Sequence, residues 1–290
     1  MKTIYAFLII IYCCCGCGSR QSNNTRPALS VTIEPLRYLT EQIAGDYFEV
    51  TTLVPRGNSP ETYEPTSRQL MELSRSRALF LTGHLGFERN WLKALQANAP
   101  ETDFISLSKG IRYIRTATEN HTATDGHSHA DGIEPHIWTS PENLRIMAHN
   151  LCDALCRIDS AHQTAYRNNL QQLELRIKTV DDSIRTLLKD SRQREFLIYH
   201  PTLSYFARDY GLVQHAIETD GKEPSPARLQ QLIALCRNKH IRTVFIQQEF
   251  DSRNAETIIN ETGLQPADIN PLSYHWETEM IKVAQILSHE

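Results

Sequence analysis

AHQTAYRNNLQQLELRIKTVDDSIRTLL, residues 161–188, is the most regular stretch of the chain and the one on which its architecture turns. Tyr166, Leu170, Leu173, Ile177, Val180, Ile184 and Leu187 recur at alternating steps of four and three, which puts them on one stripe of a helix. The stretch holds neither Gly nor Pro. At 1.5 Å per residue such a helix runs about 40 Å, enough to cross from one lobe of a protein to another. A coiled-coil arm would also show this stripe, but cover from two flanking lobes accounts for it equally well. The expectation is a linker helix over 161–190, a strut that limits how far two lobes can close on a ligand.

Outward from this helix, both flanks alternate strand and helix. On the amino-terminal side the pattern predicts strands at 30–33, 48–54 and 78–82, with helices at 35–44, 69–77 and 90–97. On the carboxyl-terminal side it predicts strands at 195–199, 214–217 and 242–246, with helices at 203–210, 226–238 and 254–262. Thr66 with Gln69 forms a capping-box pattern, while Ser140-Pro141 and Ser225-Pro226 each put a capping hydroxyl before a first-turn proline. Gly45, Gly211 and Gly263 close predicted helices. Strands alternating with short helices mean a mostly parallel sheet flanked by helices. The fold class is therefore α/β, with lobes at 28–160 and 191–290 joined by the single long helix.

The chain has 290 residues, 40% apolar and 22% charged, the composition of a folded globular protein with room for two cores. Its formal net charge of -4, without a clustered basic face, argues against nucleic acid as a partner. Lys2 precedes an apolar run at 4–12, the length of a signal-peptide core and too short to span a bilayer. That run leads into Cys13, Cys14, Cys15, Gly16 and Cys17, where a cysteine after a small residue marks a lipoprotein-type cleavage site. Residues 1–17 are thus expected to be a lipoprotein signal peptide with lipid on Cys17, and 18–27 a polar tether. The membrane contact is then only a lipid anchor, and the location the periplasm or cell envelope.

Cys152, Cys156 and Cys236 remain for the mature chain, an odd number in an oxidising compartment. Cys152 and Cys156 are one helical turn apart, where a disulfide would strain the helix, so buried free thiols are the simple reading.

His121, His127, His129 and His136 crowd one segment with Asp125, Asp131 and Glu134, and it ends in Pro135-His136-Ile137-Trp138. Imidazoles among carboxylates suit a borderline-soft divalent cation, zinc above all.

Five segments carry a more specific signal: 57–66 (GNSPETYEPT), Gly86-Phe87-Glu88 with Trp91, Pro135-His136-Ile137-Trp138, 200–212 (HPTLSYFARDYGL), and Glu223-Pro224-Ser225-Pro226. In this order and spacing the chain, from Val31 onward, resembles the solute-binding proteins of zinc and manganese ABC importers. The resemblance implies two α/β lobes joined by one long helix, a single divalent cation gripped between them, and delivery of that cation to a membrane permease.

Carried over residue by residue, the resemblance places metal-binding histidines on His136 and His200. Where the family usually has histidine between Pro and Thr-Tyr-Glu-Pro, this chain has Glu61, whose oxygen can bind zinc at about 2.0–2.2 Å. Near the end, the family's aspartate before Pro-Leu is replaced by Asn270, a poor zinc ligand. Water, Glu249 or His84 then competes with Asn270 for the fourth position, and His84 is a candidate substitute for the histidine missing at 61.

Two histidines and a carboxylate favour zinc over the harder manganese. The histidine-rich loop within 121–135, through His121, His127 and His129, is expected to capture ions weakly near the cleft. The expected function is the zinc-binding component of an ABC importer, with Zn2+ as transported ligand, a permease as partner, and a monomeric state. Manganese or iron as cargo and a metal-dependent adhesin are the alternatives. A zinc hydrolase ranks below them, because the sequence has no His-Glu-x-x-His helix, no nucleophile elbow and no dinucleotide fingerprint.

Overall fold

The computed structural model describes residues 26–115, 132–218, 223–250 and 253–288. The amino-terminal lobe runs β1 (Ala28–Val31), α1 (Glu34–Ala44), β2 (Glu49–Thr52), α2 (Ser67–Leu73), β3 (Ser76–Leu81), α3 (Gly86–Asn98), β4 (Asp103–Ser106) and α4 (Pro141–Ile158). α5 (Gln163–Leu188) leads to the second lobe: β5 (Glu195–Ile198), α6 (Ser204–Tyr210), β6 (Val213–Ala216), α7 (Pro226–Lys239), β7 (Thr243–Gln247), α8 (Arg253–Thr262), β8 (Gln265–Ile269) and α9 (Trp276–Ser288).

Each lobe holds a four-stranded sheet whose pairings are all parallel, in the orders β2-β1-β3-β4 and β6-β5-β7-β8. Leu29, Ser30 and Val31 of β1 are all fully buried, as are Phe196, Leu197 and Ile198 of β5. Helices covering both faces explain why these central strands read as unbroken buried runs. The two-lobe α/β expectation is met.

The stripe of α5 is buried at Tyr166, Leu170, Leu173, Ile177, Val180, Ile184 and Leu188. The last position is Leu188 instead of the expected Leu187. With 3.6 residues per turn, Leu188 lies about 40° from the direction of Tyr166 and Leu187 about 60° on the other side, so the later leucine turns inward. The helix also begins at Gln163, because Asp159 accepts the Ala161 amide and opens a 3-10 turn at Ser160–His162. α4 and α1 cover α5 from one lobe and α9 from the other, so the stripe is satisfied within the chain and is not a coiled-coil seam.

The main apolar core is continuous through α5, from Leu29 and Phe80 in the first lobe to Phe245 and Met280 in the second. A separate cluster, including Leu232, Cys236, Val244 and Ile258, fills the outer face of the second sheet under α7 and α8.

Other boundaries shift for local reasons. α2 stops at Leu73, and Ser76 already pairs with Ala28, so Arg77 belongs to a strand and not to the expected helix. α3 starts at Gly86, four residues before the expected 90, because Leu85 is the extended cap. The sequence rhythm passes over β4 and β8. Both are edge strands; β4 is short, and β8 carries Pro266, which a strand tolerates at an edge. Cys152, Cys156 and Cys236 are all free thiols. Among the described residues, no helix is long and apolar enough to cross a membrane. Cys17, His121, His127 and His129 lie outside the described residues.

Candidate metal centre

Loops at the carboxyl ends of parallel strands, where ligands gather in open α/β sheets, carry every candidate that the structure describes. Glu61 lies between β2 and α2, in a segment pinned to the start of α3. The Phe87 amide donates to the Pro60 carbonyl at 2.7 Å, and the Gly86 amide donates to Glu61 Oε2 at 3.2 Å. The positive end of a 13-residue helix thus faces a carboxylate. Gly86 permits this approach: a Cβ there would overlap Glu61 Oε2 and come within 2.9 Å of the Glu61 carbonyl. Glu88, in the same first turn, accepts from Thr32 Oγ1, Thr82 N, Thr82 Oγ1 and Gly83 N at 2.6–2.9 Å, tying α3 to the ends of β1 and β3.

His136 follows Ile133, which bridges Arg115, and precedes the 3-10 turn Ile137–Thr139. Thr139 Oγ1 donates to the His136 carbonyl at 3.0 Å, while Asn143 Nδ2 donates to the Ile137 carbonyl at 3.1 Å. The fully buried Trp138 donates Nε1–H to the Pro271 carbonyl at 2.8 Å and accepts at its own carbonyl from Trp276 Nε1 at 2.7 Å, both across the lobes. His136 Nδ1 lies 2.5 Å from Glu134 Oε1, which also accepts the His136 amide at 3.1 Å; Glu134 Oε2 accepts from Ser204 Oγ of the second lobe at 3.1 Å. Nε2 is left to face the centre.

His200 directly follows Tyr199 at the end of β5. Its Nδ1 lies 3.2 Å from Glu218 Oε2, and its ring stacks on Phe250 with centroids 4.6 Å apart. Gln247 accepts the His200 amide at 3.3 Å and donates to the His200 carbonyl at 2.6 Å and to Thr202 Oγ1 at 3.0 Å. Both imidazoles are buried, with 3% and 5% exposure.

Glu61, His136 and His200 offer one donor atom each, and these atoms all lie within 4.8 Å of one another. The two rings stand 5.1 Å apart, nearly perpendicular. Among the described residues, Glu61 Oε1 and His200 Nε2 are buried side-chain atoms with no hydrogen-bond partner. A buried polar atom without a partner is costly, and a cation between these residues would satisfy both. The void they line measures about 20 Å³, which on the scale of one water-sized sphere suits a single ion.

The electrostatics agree. Burial opposes charge on His136, but the Glu134 carboxylate, helped by Glu61 and Glu218, outweighs it and raises the imidazole above the ordinary histidine range. Burial likewise opposes charge on Glu134, and His136 outweighs it and lowers that carboxyl. The site therefore attracts positive charge in the absence of a metal.

His84 is not in this group; its ring stands edge-on to Tyr113, centroids 4.7 Å apart. Asn270 is spent on its own turn, its Oδ1 accepting the Leu272 amide at 3.0 Å. Glu249 lines the void. Of the supporting residues, Glu134 enters the sequence reading only as one carboxylate of the histidine-rich segment, and Glu218, Gln247 and Phe250 do not enter it. Glu134 had a signal, a carboxylate two places before His136, whereas Glu218 sits 18 residues from its histidine and had none.

The family model described as ZnuA, "Zinc-uptake complex component A periplasmic", matches residues 30–281. The high-affinity zinc uptake system protein ZnuA of Bacillus subtilis is 24% identical over 263 residues, 88% of this chain and 81% of its own length. A crystal structure of ZnuA superposes with a TM-score of 0.84 at 32% identity, covering 91% of this chain and 98% of that one. A deletion mutant of ZnuA with zinc bound gives 0.83 at 32% identity, covering 90% and 96%. This chain belongs to the ZnuA family, the periplasmic component A of zinc-uptake complexes.

Proposed function

We propose that Glu61, His136 and His200 bind one zinc ion between the lobes and that the loaded protein delivers it to the permease of an ABC importer. The observation that carries this reading is the convergence of donor atoms from three residues within 4.8 Å, two of these residues having a buried, unpartnered side-chain atom. Each imidazole has its second nitrogen on a carboxylate, the arrangement that fixes ring orientation in zinc sites. Two imidazoles and a carboxylate favour zinc over manganese.

A void of about 20 Å³ is the size for a single ion, which supports binding as the role of this centre. The wider assignment follows from the leader: lipid on Cys17 tethers a monomer to the cell envelope, and His121, His127 and His129 gather ions weakly near the cleft. The covered stripe of α5 supports the monomer, since its apolar residues pack against α1, α4 and α9 of the same chain.

The test is a competitive zinc titration of the mature chain. One tight site per chain is expected. His136→Ala or His200→Ala should each cost roughly 3 kcal/mol, about a quarter of the ~10–16 kcal/mol typical of protein zinc sites, or more than a hundredfold in affinity. Tight binding that survives both changes would refute the assignment.

A further inference from the structure

We infer that Glu249 supplies the fourth donor to the zinc, closing a shell of two imidazoles and two carboxylates. This rests on the zinc-binding reading and extends it. Zinc in a closed protein site takes four donors in a tetrahedron, and Glu61, His136 and His200 provide three.

The remaining lining of the void decides the fourth. Ser59 Oγ accepts the Glu61 amide at 3.3 Å, and Thr202 Oγ1 accepts from Gln247. Both ends of the Gln247 amide are engaged with the His200 backbone. That leaves the Glu249 carboxylate, whose only side-chain partner among the described residues is the Gln248 amide, at a long 3.4 Å.

The turn that carries Glu249 is anchored on both sides to the histidine it would join. The Phe250 amide donates to the Gln247 carbonyl at 3.2 Å, closing the turn; Gln247 grips the His200 backbone, and Phe250 stacks on the His200 ring. Glu249 stands outside the group of donors within 4.8 Å of one another and must swing in to reach the ion, but it lines the void, whereas His84, against Tyr113, and Asn270, closing its own turn, do not. Glu249 also lines an adjoining void of about 60 Å³, together with Arg56 and His275. It therefore stands on the wall between the ion cavity and the neighbouring space.

The experiment compares the mature wild-type chain with Glu249→Gln and Glu249→Asp, using zinc as the only probe and Glu61→Gln as reference. Unchanged metal-free melting temperatures establish that the variants fold. A crystal of the zinc-loaded wild type should show a Glu249 oxygen about 2.0–2.2 Å from the ion. Glu249→Gln should weaken zinc by about tenfold or more and speed its release to a chelator, with Glu249→Asp intermediate. Water in the fourth position of the crystal, or Glu249→Gln within about twofold of wild type in both affinity and release, overturns the inference. If Glu61→Gln also leaves zinc binding intact, the failure belongs to the underlying metal assignment.

Discussion

His136 and His200 reach the same point from lobes with the same strand order, but they are held in different ways. On the first side the support is local: Glu134, two residues earlier, takes both the Nδ1 contact and the amide of His136, and Trp138, two residues later, is locked between Pro271 and Trp276. On the second side it is assembled from three strand ends. His200 follows β5, Glu218 follows β6, and Gln247 closes β7. The Nδ1 contact is correspondingly tighter at His136, 2.5 Å against 3.2 Å. A short motif can carry one half of a metal site, while the other half exists only after the sheet has formed. The local half also reaches across the cleft, since Glu134 accepts from Ser204 and its carbonyl accepts from Tyr205 at 2.8 Å.

The largest way to break the comparison is to remove what holds the halves together. Leu173→Ala, in the fully buried stripe of α5, should cost about 3–5 kcal/mol. Because the core runs through both lobes, urea unfolding followed by fluorescence and by circular dichroism should show one shared transition. Separate transitions for the two lobes would contradict a common core.

Next in size are the two supporting carboxylates. Glu134→Ala and Glu218→Ala should each weaken zinc within the 10–100-fold typical of groups that orient metal-binding histidines. Glu134→Ala should lie at the upper end, because it removes contacts to the imidazole, the amide and Ser204 together. Isothermal titration decides it; a larger loss at Glu218 would reverse the ranking of the halves.

Gly86→Ala should cost about 1–3 kcal/mol in stability, since the added methyl meets Glu61 in backbone and side chain. Zinc affinity should fall with it. Thermal melting with and without zinc separates the two losses, and an unchanged affinity would show that Glu61 is not constrained by this helix end.

The smallest effect is on pH dependence, and it distinguishes the halves most finely. In the metal-free protein His136 holds its proton to higher pH than a free histidine, whose value is about 6.5. Zinc needs the neutral ring, so binding expels that proton; affinity should be level at alkaline pH and fall as pH drops through the raised value. The fall should approach about tenfold per pH unit for the one proton, beginning above pH ~6.5. In Glu134→Ala the largest raising influence is gone, so the onset should move to lower pH. An onset at the same pH in both proteins would mean that another group governs the profile.

How much of this was legible beforehand follows from the range of the interactions. The stripe of α5 and the caps at Thr66, Ser140 and Ser225 are set by neighbours within about one helical turn; the caps form as expected, and the stripe does so up to its last position. Edge strands β4 and β8 depend on partners across a sheet and lacked the apolar runs that mark central strands.

By itself the sequence determined two parallel α/β lobes and the helix between them, because periodicity and capping are properties of the chain read along its length, while Glu61, His136 and His200 were candidates implied by the family resemblance of its motifs. Only the tertiary structure decided which residues surround them. His84 and Asn270 are turned to Tyr113 and Leu272, while Glu218, Gln247, Glu249 and Phe250 gather around His200. The reason is that a strand end places a side chain by the sheet's hydrogen-bond register, and register is a relation between segments far apart in the chain.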